Sequence, residues 1–439
     1  MRNVVDYDEV QKLTGILDHM TQSLPARIVD LVRGRLEDGT LSPGDRLEST
    51  RALARQMGVS RGSVVTAYEQ LVGEGFLVAD RGGTRVNPDL PARRARTAVR
   101  PVRREATLLA PGVPDTSELA THTWRAAWRM AAAEPAAHPA PGSRRLRQQI
   151  ADHVRLTRSV SVTADNVVIT AGARDGLRTI MGVTEGPVGV DDPGFPTLHA
   201  VPRALGREVV PIAADAEGMS VAALADANPS VVLVMPNHLY PTGTQMPASR
   251  RLELIDWARG SGALIVEDDY DSELRPAHAA LAGLDEHAVL LGSFAKTLTP
   301  ALGLGFLIVP EHLVEAAGAA TAPVSGVVQD AMANFMAEDG LRRHTAKMRR
   351  IYRRRRRIVS EVLPEAVAMD GGLHAVIEVA NRAVEERVVA RCRAAGFGVA
   401  GLADYWTASE RGGVVLGVGG LDDARLRTAL GSLADVVRG

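Results

Sequence analysis

Six short apolar runs recur through the middle of this 439-residue chain, near 167–170, 188–191, 231–235, 263–267, 288–292 and 304–309, with helical stretches between them. Strand-length runs rich in Val, Ile and Leu suit strands buried on both faces, and their alternation with helices predicts an α/β sheet, mostly parallel. Strands near 374–379 and 414–418 and a helix over 421–437 predict a smaller carboxyl-terminal domain, reached through a helical connection over 342–363. In an open α/β sheet the ligand crevice lies outside the carboxyl ends of the strands. The residues that end each run therefore carry the functional information.

Lys296 stands between the fifth and sixth runs, and the chain holds only two other lysines, Lys12 and Lys347, among 51 basic residues. Arginine supplies positive charge but stays protonated, so it cannot replace a deprotonatable amine. A lysine between two buried strands is poised for a lowered pKa and for Schiff-base formation with an aldehyde. The fourth run ends in Asp268-Asp269-Tyr270-Asp271. Pyridoxal phosphate requires a carboxylate on its ring nitrogen, a hydroxyl donor near its 3′-oxygen and a lysine for its aldehyde. Asp268, Tyr270 and Lys296 provide these in chain order.

The other parts of such a site follow the earlier runs. Val167–Thr170 leads into Ala171-Gly172-Ala173, which opens a helix whose free amides suit a phosphate. Asp192-Pro-Gly-Phe195-Pro places Phe195 where a ring can lie against the cofactor. Tyr240-Pro-Thr-Gly243 follows the third run.

The first ninety residues have a different character. Helix-periodic Ala26–Leu36 is broken by Leu41-Ser-Pro-Gly-Asp45, and two short helices, 49–57 and 60–74, are separated by Gly58. This is the helix-turn-helix pattern. Ser60 caps the second helix, and Arg61, Ser63 and Thr66 project from its first turns. A hairpin follows around Arg81-Gly-Gly83 and includes Arg85. Residues 1–90 hold eleven Arg or Lys against thirteen Asp or Glu, so DNA affinity here depends on how charge is distributed over one face. Pro88–Glu105 carries Arg93, Arg94, Arg96, Arg100, Arg103 and Arg104 among Pro and Ala, the composition of an extended tether. Arg353–Arg357 reads as a solvated helix face.

Two resemblances complete the reading. LSPGDRLESTRALARQMGVSRGSVVTAYEQLVGEGFL resembles the winged helix-turn-helix of the GntR superfamily. ITAGARDGL, DDPGFP, MPNHLYPTG, VEDDYDSELR and SFAKTLTPALGLGFLIVP resemble the fold-type I aminotransferases, and the whole chain resembles the MocR/GabR-type transcription regulators. The resemblance implies a multi-domain protein: a winged helix-turn-helix at 20–88, a linker at 89–106, a large α/β domain of the fold-type I PLP-dependent transferase class at 107–340 and a small C-terminal α/β domain at 341–439. It implies DNA contacts from Arg51, Ser60, Arg61, Ser63, Thr66, Arg81 and Arg85. It implies pyridoxal 5′-phosphate held by Lys296, Asp268, Tyr270, Phe195, Tyr240, Gly172, Ala173, Ser293 and Thr297. Operator DNA and a second copy in a homodimer are the implied partners. The implied effector is an amine, an amino acid or the cofactor itself.

Four positions depart from the enzymes of that fold. A tyrosine that reaches the partner's phosphate is Ala137 here, beside His138, and the asparagine before Pro-Thr-Gly is Tyr240. A phosphate-binding arginine is Gly303, and the carboxylate-binding arginine aligns with Val415, leaving Arg411 as the nearest substitute. A regulator is therefore expected over an aminotransferase; a working aminotransferase and a regulator whose large domain binds no cofactor are the alternatives. A single cysteine, Cys392, excludes a disulfide framework within the chain. With no apolar run of transmembrane length and no secretory pattern at the start, a cytoplasmic protein is expected.

Overall fold

The computed structural model describes residues 23–80, 83–90, 108–275, 279–370, 372–407 and 411–438. Most of the arginine-rich tether, and Arg81, lie outside them. The chain divides into two compact units, residues 1–103 and 104–439.

In the first unit, helices α1 (Leu24–Glu37), α2 (Thr50–Met57) and α3 (Arg61–Gly73) precede an antiparallel hairpin of β1 (Leu77–Asp80) and β2 (Gly83–Val86). Ser49 and Ser60 cap α2 and α3, accepting from the amides of Ala52 and Ser63, and Gly58 ends α2 at a left-handed φ of 64°. A short polar cap and an unstrained glycine are what a tight turn between two helices requires. Ile28, Val32, Leu53, Val64, Leu71, Leu77 and Val86 form the core, so the hairpin packs on the same apolar centre as the helices.

The second unit holds an eight-stranded sheet of β3 (Val167–Thr170), β4 (Val188–Asp192), β5 (Val209–Asp215), β6 (Gly218–Met219), β7 (Val231–Val234), β8 (Leu264–Asp269), β9 (Ala288–Ser293) and β10 (Gly305–Ile308). The spatial order is β3-β10-β9-β8-β7-β4-β5-β6. The centre is parallel, while β10 runs antiparallel to both neighbours and β6 antiparallel to β5. The antiparallel pairing of β9 and β10 puts Ser293 opposite Gly305, so the connection that carries Lys296 lies at the end of the sheet where the parallel strands finish.

Beyond it, the 23-residue helix Gly340–Val362 leads to an antiparallel sheet of β11 (Ala366–Ala368), β12 (His374–Val379), β13 (Ala400–Gly401) and β14 (Gly412–Gly417), ordered β11-β12-β14-β13. Leu109, just after the tether, packs in this smaller domain's core with Ile377, Leu416 and Leu430 rather than in the large domain. Strands β5, β6, β11 and β13 were not expected from the sequence. β6, β11 and β13 are only two or three residues long, and the apolar run of β5 is interrupted by Pro211, which argues against a strand.

Candidate functional site

One cleft of about 360 Å³ gathers the ends of β3, β8 and β9 with residues of the smaller domain. Period-2 alternation decides which acid of the run ending β8 enters it. Glu267 and Asp269 point to the other side, where both accept from the Asn237 amide and Asp269 pairs with the buried Arg158 at 2.6 Å. Asp268 lines the cleft, and its Oδ1 is buried with no hydrogen-bond partner among the described residues. Burial and then the neighbouring carboxylates of Asp269 and Asp271 push its carboxyl up to about 8. An orphaned carboxylate of this kind calls for a donor from a ligand.

Lys296 also lines the cleft, and its Nζ donates to the Gly112 carbonyl at 2.7 Å. Gly112 has φ +75°, and a Cβ there would lie 2.5 Å from Nζ, so only glycine leaves the amine its place. Burial holds the Lys296 ammonium below its ordinary range, opposed by the charges of Asp268 and Asp271. The amine is thereby brought closer to its nucleophilic form.

At the other end, helix α4 (Ala173–Gly182) starts without a side-chain cap, its first amides beside open space at Gly172, whose φ is +94°. Glycine serves there because the positive φ is strained for any side chain. Ser293 also lines the cleft, its Oγ accepting from the Ala295 amide at 3.1 Å. Phe195 and Tyr240 meet edge to face at 5.5 Å. Tyr270 donates to the His238 carbonyl oxygen at 3.1 Å. Thus Lys296, Asp268, Tyr270, Phe195, Tyr240, Gly172, Ala173 and Ser293 come together, all on the cleft wall.

Two expected residues stand elsewhere. Thr297 is buried one position past Lys296, does not line the cleft, and has an unpartnered Oγ1. After β9 the chain makes one helical turn, the Leu298 amide donating to the Phe294 carbonyl, so consecutive side chains fan out in different directions. Arg411 lies in a separate groove, ion-paired with Glu378 and stacked over Trp406 at 5.6 Å. It is therefore no substitute in the cleft for the missing carboxylate-binding arginine. Val415 is fully buried among Tyr240, Val376 and Tyr405.

The sequence reading missed Arg174, Asp271, His374 and Tyr405, all on the cleft wall. Arg174 is exposed in the first turn of α4 and pairs with no acid among the described residues. A cation in a helix's first turn opposes the helix dipole, which is the signal that marks an anion site. In a chain so rich in arginine that signal was lost.

In the first unit, Arg51, Arg61, Thr66 and Arg85 are exposed. Arg61 reaches back to Thr50 Oγ1 at 3.4 Å, and Arg85 pairs with Asp80 across the hairpin at 3.0 Å. Ser60 and Ser63 hydroxyls bond each other at 2.8 Å, so Ser60 serves the helix start first. His138 pairs with Asp330 at 2.9 Å.

Residues 24–86 match the family of bacterial regulatory proteins, gntR family. Over 446 residues the chain is 40% identical to the HTH-type pyridoxine biosynthesis transcriptional regulator PdxR of Corynebacterium glutamicum, covering 95% of this chain and 97% of that one. This chain belongs to the MocR-type regulators of the GntR superfamily. The probable rhizopine catabolism regulatory protein MocR of Rhizobium meliloti is 28% identical over 93% of this chain and 92% of its own. Among solved structures, an archaeal alanine:glyoxylate aminotransferase superposes with a TM-score of 0.68 at 18% identity, over 76% of this chain and 90% of its own. LysN, the α-aminoadipate aminotransferase of Thermus thermophilus complexed with N-(5′-phosphopyridoxyl)-L-leucine, gives 0.67 at 21%, over 76% and 92%. The MocR-type regulator thus joins a GntR-family DNA-binding domain to an aminotransferase fold, and it is a DNA-binding transcriptional regulator. No helix among the described residues is long and apolar enough to cross a membrane.

Proposed function

We propose that this MocR-type regulator responds to pyridoxal 5′-phosphate bound in the Lys296 cleft. The observation that carries the reading is Asp268 Oδ1, buried and unpartnered in the same cleft as a desolvated lysine. When bound, pyridoxal phosphate supplies an aldehyde that a primary amine captures reversibly and a ring nitrogen that a carboxylate keeps protonated. Lys296 Nζ would take the aldehyde end, Asp268 the ring nitrogen, Phe195 a ring face and Tyr270 the 3′-oxygen. Ser293, the amides of Gly172 and Ala173, and Arg174 would hold the phosphate. Arg174 would then supply the charge missing at Gly303. The name of the Corynebacterium relative, a regulator of pyridoxine biosynthesis, favours the cofactor itself as the effector. So does a cleft wall whose cationic side chains, among the described residues, are Lys296 and Arg174, with none left over for a substrate carboxylate.

The protein would act as a homodimer in the cytoplasm, binding changing the placement of its two DNA-binding units. Operator affinity measured with and without pyridoxal phosphate tests the reading, and identical affinities would defeat it. Arg174→Ala is expected to weaken cofactor affinity by roughly tenfold, about the 1.5–3 kcal/mol of one charged hydrogen bond. The measurement is an equilibrium titration of cofactor absorbance. Unchanged affinity would remove Arg174 from the phosphate set.

For the DNA-binding unit, Arg61→Ala is expected to cost about 1–3 kcal/mol on operator DNA and much less on random duplex. Neutralising Arg93, Arg94 and Arg96 together should weaken both and flatten the salt dependence. Equal losses on the two DNAs from the Arg61 change would show that it reads no base.

A further inference from the structure

The proposed cofactor contacts take Tyr270 from a polar array behind the cleft wall and leave its other members, Asp271, His238 and His374, unused. Asp271 is 2% exposed, lines the cleft, and accepts from His238 Nδ1 at 2.5 Å. His238 is equally buried and forms the middle of a stack, with Tyr270 at 5.8 Å on one side and His374 at 5.6 Å on the other. Tyr270 Oη lies 3.0 Å from the same Nδ1. Two glycines let the backbone come close to the imidazole. A Cβ on Gly372 would stand 2.7 Å from its Cε1, and one on Gly243 3.3 Å from its Nε2. His238 Nε2 has no partner among the described residues. The ring nitrogen that meets an acceptor is therefore Nδ1, and its N–H is the one given to Asp271.

We infer that His238 is a positioning residue for the Lys296 site: through its Nδ1–H it fixes Asp271 and tempers the charge that Asp271 presents to the lysine nitrogen. The inference rests on pyridoxal phosphate binding at Lys296. The charged and titratable groups facing that nitrogen are Asp268 and Asp271 from the end of β8, Tyr270 beside them, Tyr240, His374 from β12, Tyr405 and, at the phosphate end, Arg174. Of these, His238 Nδ1 meets Asp271 at the shorter distance, and its other contact, the Tyr270 hydroxyl, has the His238 carbonyl to take its own hydrogen. A carboxylate that loses its donor concentrates its charge and stabilises a nearby cation more strongly. The pH midpoint of the lysine-bound cofactor's visible absorption reports that cation.

The experiment titrates the visible band of the full-length, cofactor-loaded protein with pH in four forms: wild type, His238→Phe, Asp271→Asn and the double variant. His238→Phe is expected to raise the midpoint by about one unit, a tenfold change, and Asp271→Asn to lower it. In the Asp271→Asn background, His238→Phe should shift nothing further, as a double-mutant cycle requires when one residue acts through the other. A midpoint unmoved by His238→Phe, or the same shift in both backgrounds, overturns the inference. If His238→Phe fails to fold, His238→Asn decides: it retains a donor near the Nδ1 position and should stay within about 0.3 units of wild type, and a full shift there also overturns it. A wild type without any visible band removes the cofactor reading and this inference together. A normal wild-type band with an unshifted variant removes this inference alone.

Discussion

Lys296→Ala is expected to abolish the visible absorption that the wild-type protein acquires with pyridoxal phosphate, and to leave no peptide that borohydride can trap. The loss should be complete rather than graded. Lys12 and Lys347 are the other lysines, Lys12 falls outside the described residues, and Lys347 is half-exposed in an ion pair with Glu118. A solvated, paired ammonium stays protonated and is a poor nucleophile, whereas the Lys296 amine is desolvated in the cleft. The fold should survive the change, because Nζ donates one hydrogen bond, to Gly112, and its loss leaves a carbonyl beside an open cleft. Cofactor stabilisation should largely disappear with it. A ligand at about 100 times its Kd adds roughly 2.7 kcal/mol to the native state, an effect visible as a rise in Tm that the variant would lack. A trapped peptide containing another lysine, with the same spectrum, would refute the assignment of Lys296.

Sustained transamination by the cofactor-loaded protein is expected to fall at least ~10²-fold below 1 s⁻¹, the low end for ordinary enzymes. Transamination requires the substrate carboxylate to be clamped so that its Cα–H bond stands perpendicular to the cofactor ring. Val415, which the resemblance aligns with the enzymes' carboxylate-binding arginine, is buried in an apolar cluster with Tyr240 and Tyr405. Arg411 is committed to Glu378 and Trp406 in the other groove. Arg174 sits in the first turn of α4, where the phosphate is proposed to bind, so among the described residues no other guanidinium on the cleft wall remains for the substrate. A bidentate arginine–carboxylate pair is among the strongest polar contacts available, and none of the wall's hydroxyls replaces its charge. The measurement is steady-state production of a 2-oxo acid from a panel of amino acids with a 2-oxo acceptor. Turnover near 1 s⁻¹ would restore the enzyme reading.

The two expectations separate binding from chemistry. Asp268, Lys296 and Tyr270 preserve the part of the cleft suited to capturing an aldehyde. Among the described residues the cleft wall carries no second guanidinium that would turn capture into repeated reaction. A regulator needs only the first, because a ligand shifts an equilibrium by its differential affinity for two states and by nothing else.

The sequence alone determined the order of the parts. Its apolar runs located the six principal strands, because strands buried on both faces must be continuously apolar and so announce themselves. Three lysines in an arginine-rich chain singled out Lys296, since a guanidinium cannot do an amine's work. Gly58 and the serine caps placed the short helices, because turn and cap chemistry are local.

Only the tertiary structure decided which residues share the cleft. It sent Glu267 and Asp269 to the side of β8 away from the cleft, Thr297 into the interior and Arg411 to a separate groove. It also brought His374 and Tyr405 to the wall from the smaller domain, more than a hundred residues after Asp268. Such contacts are set by how two separately cored domains pack together. No local pattern in either stretch encodes that geometry.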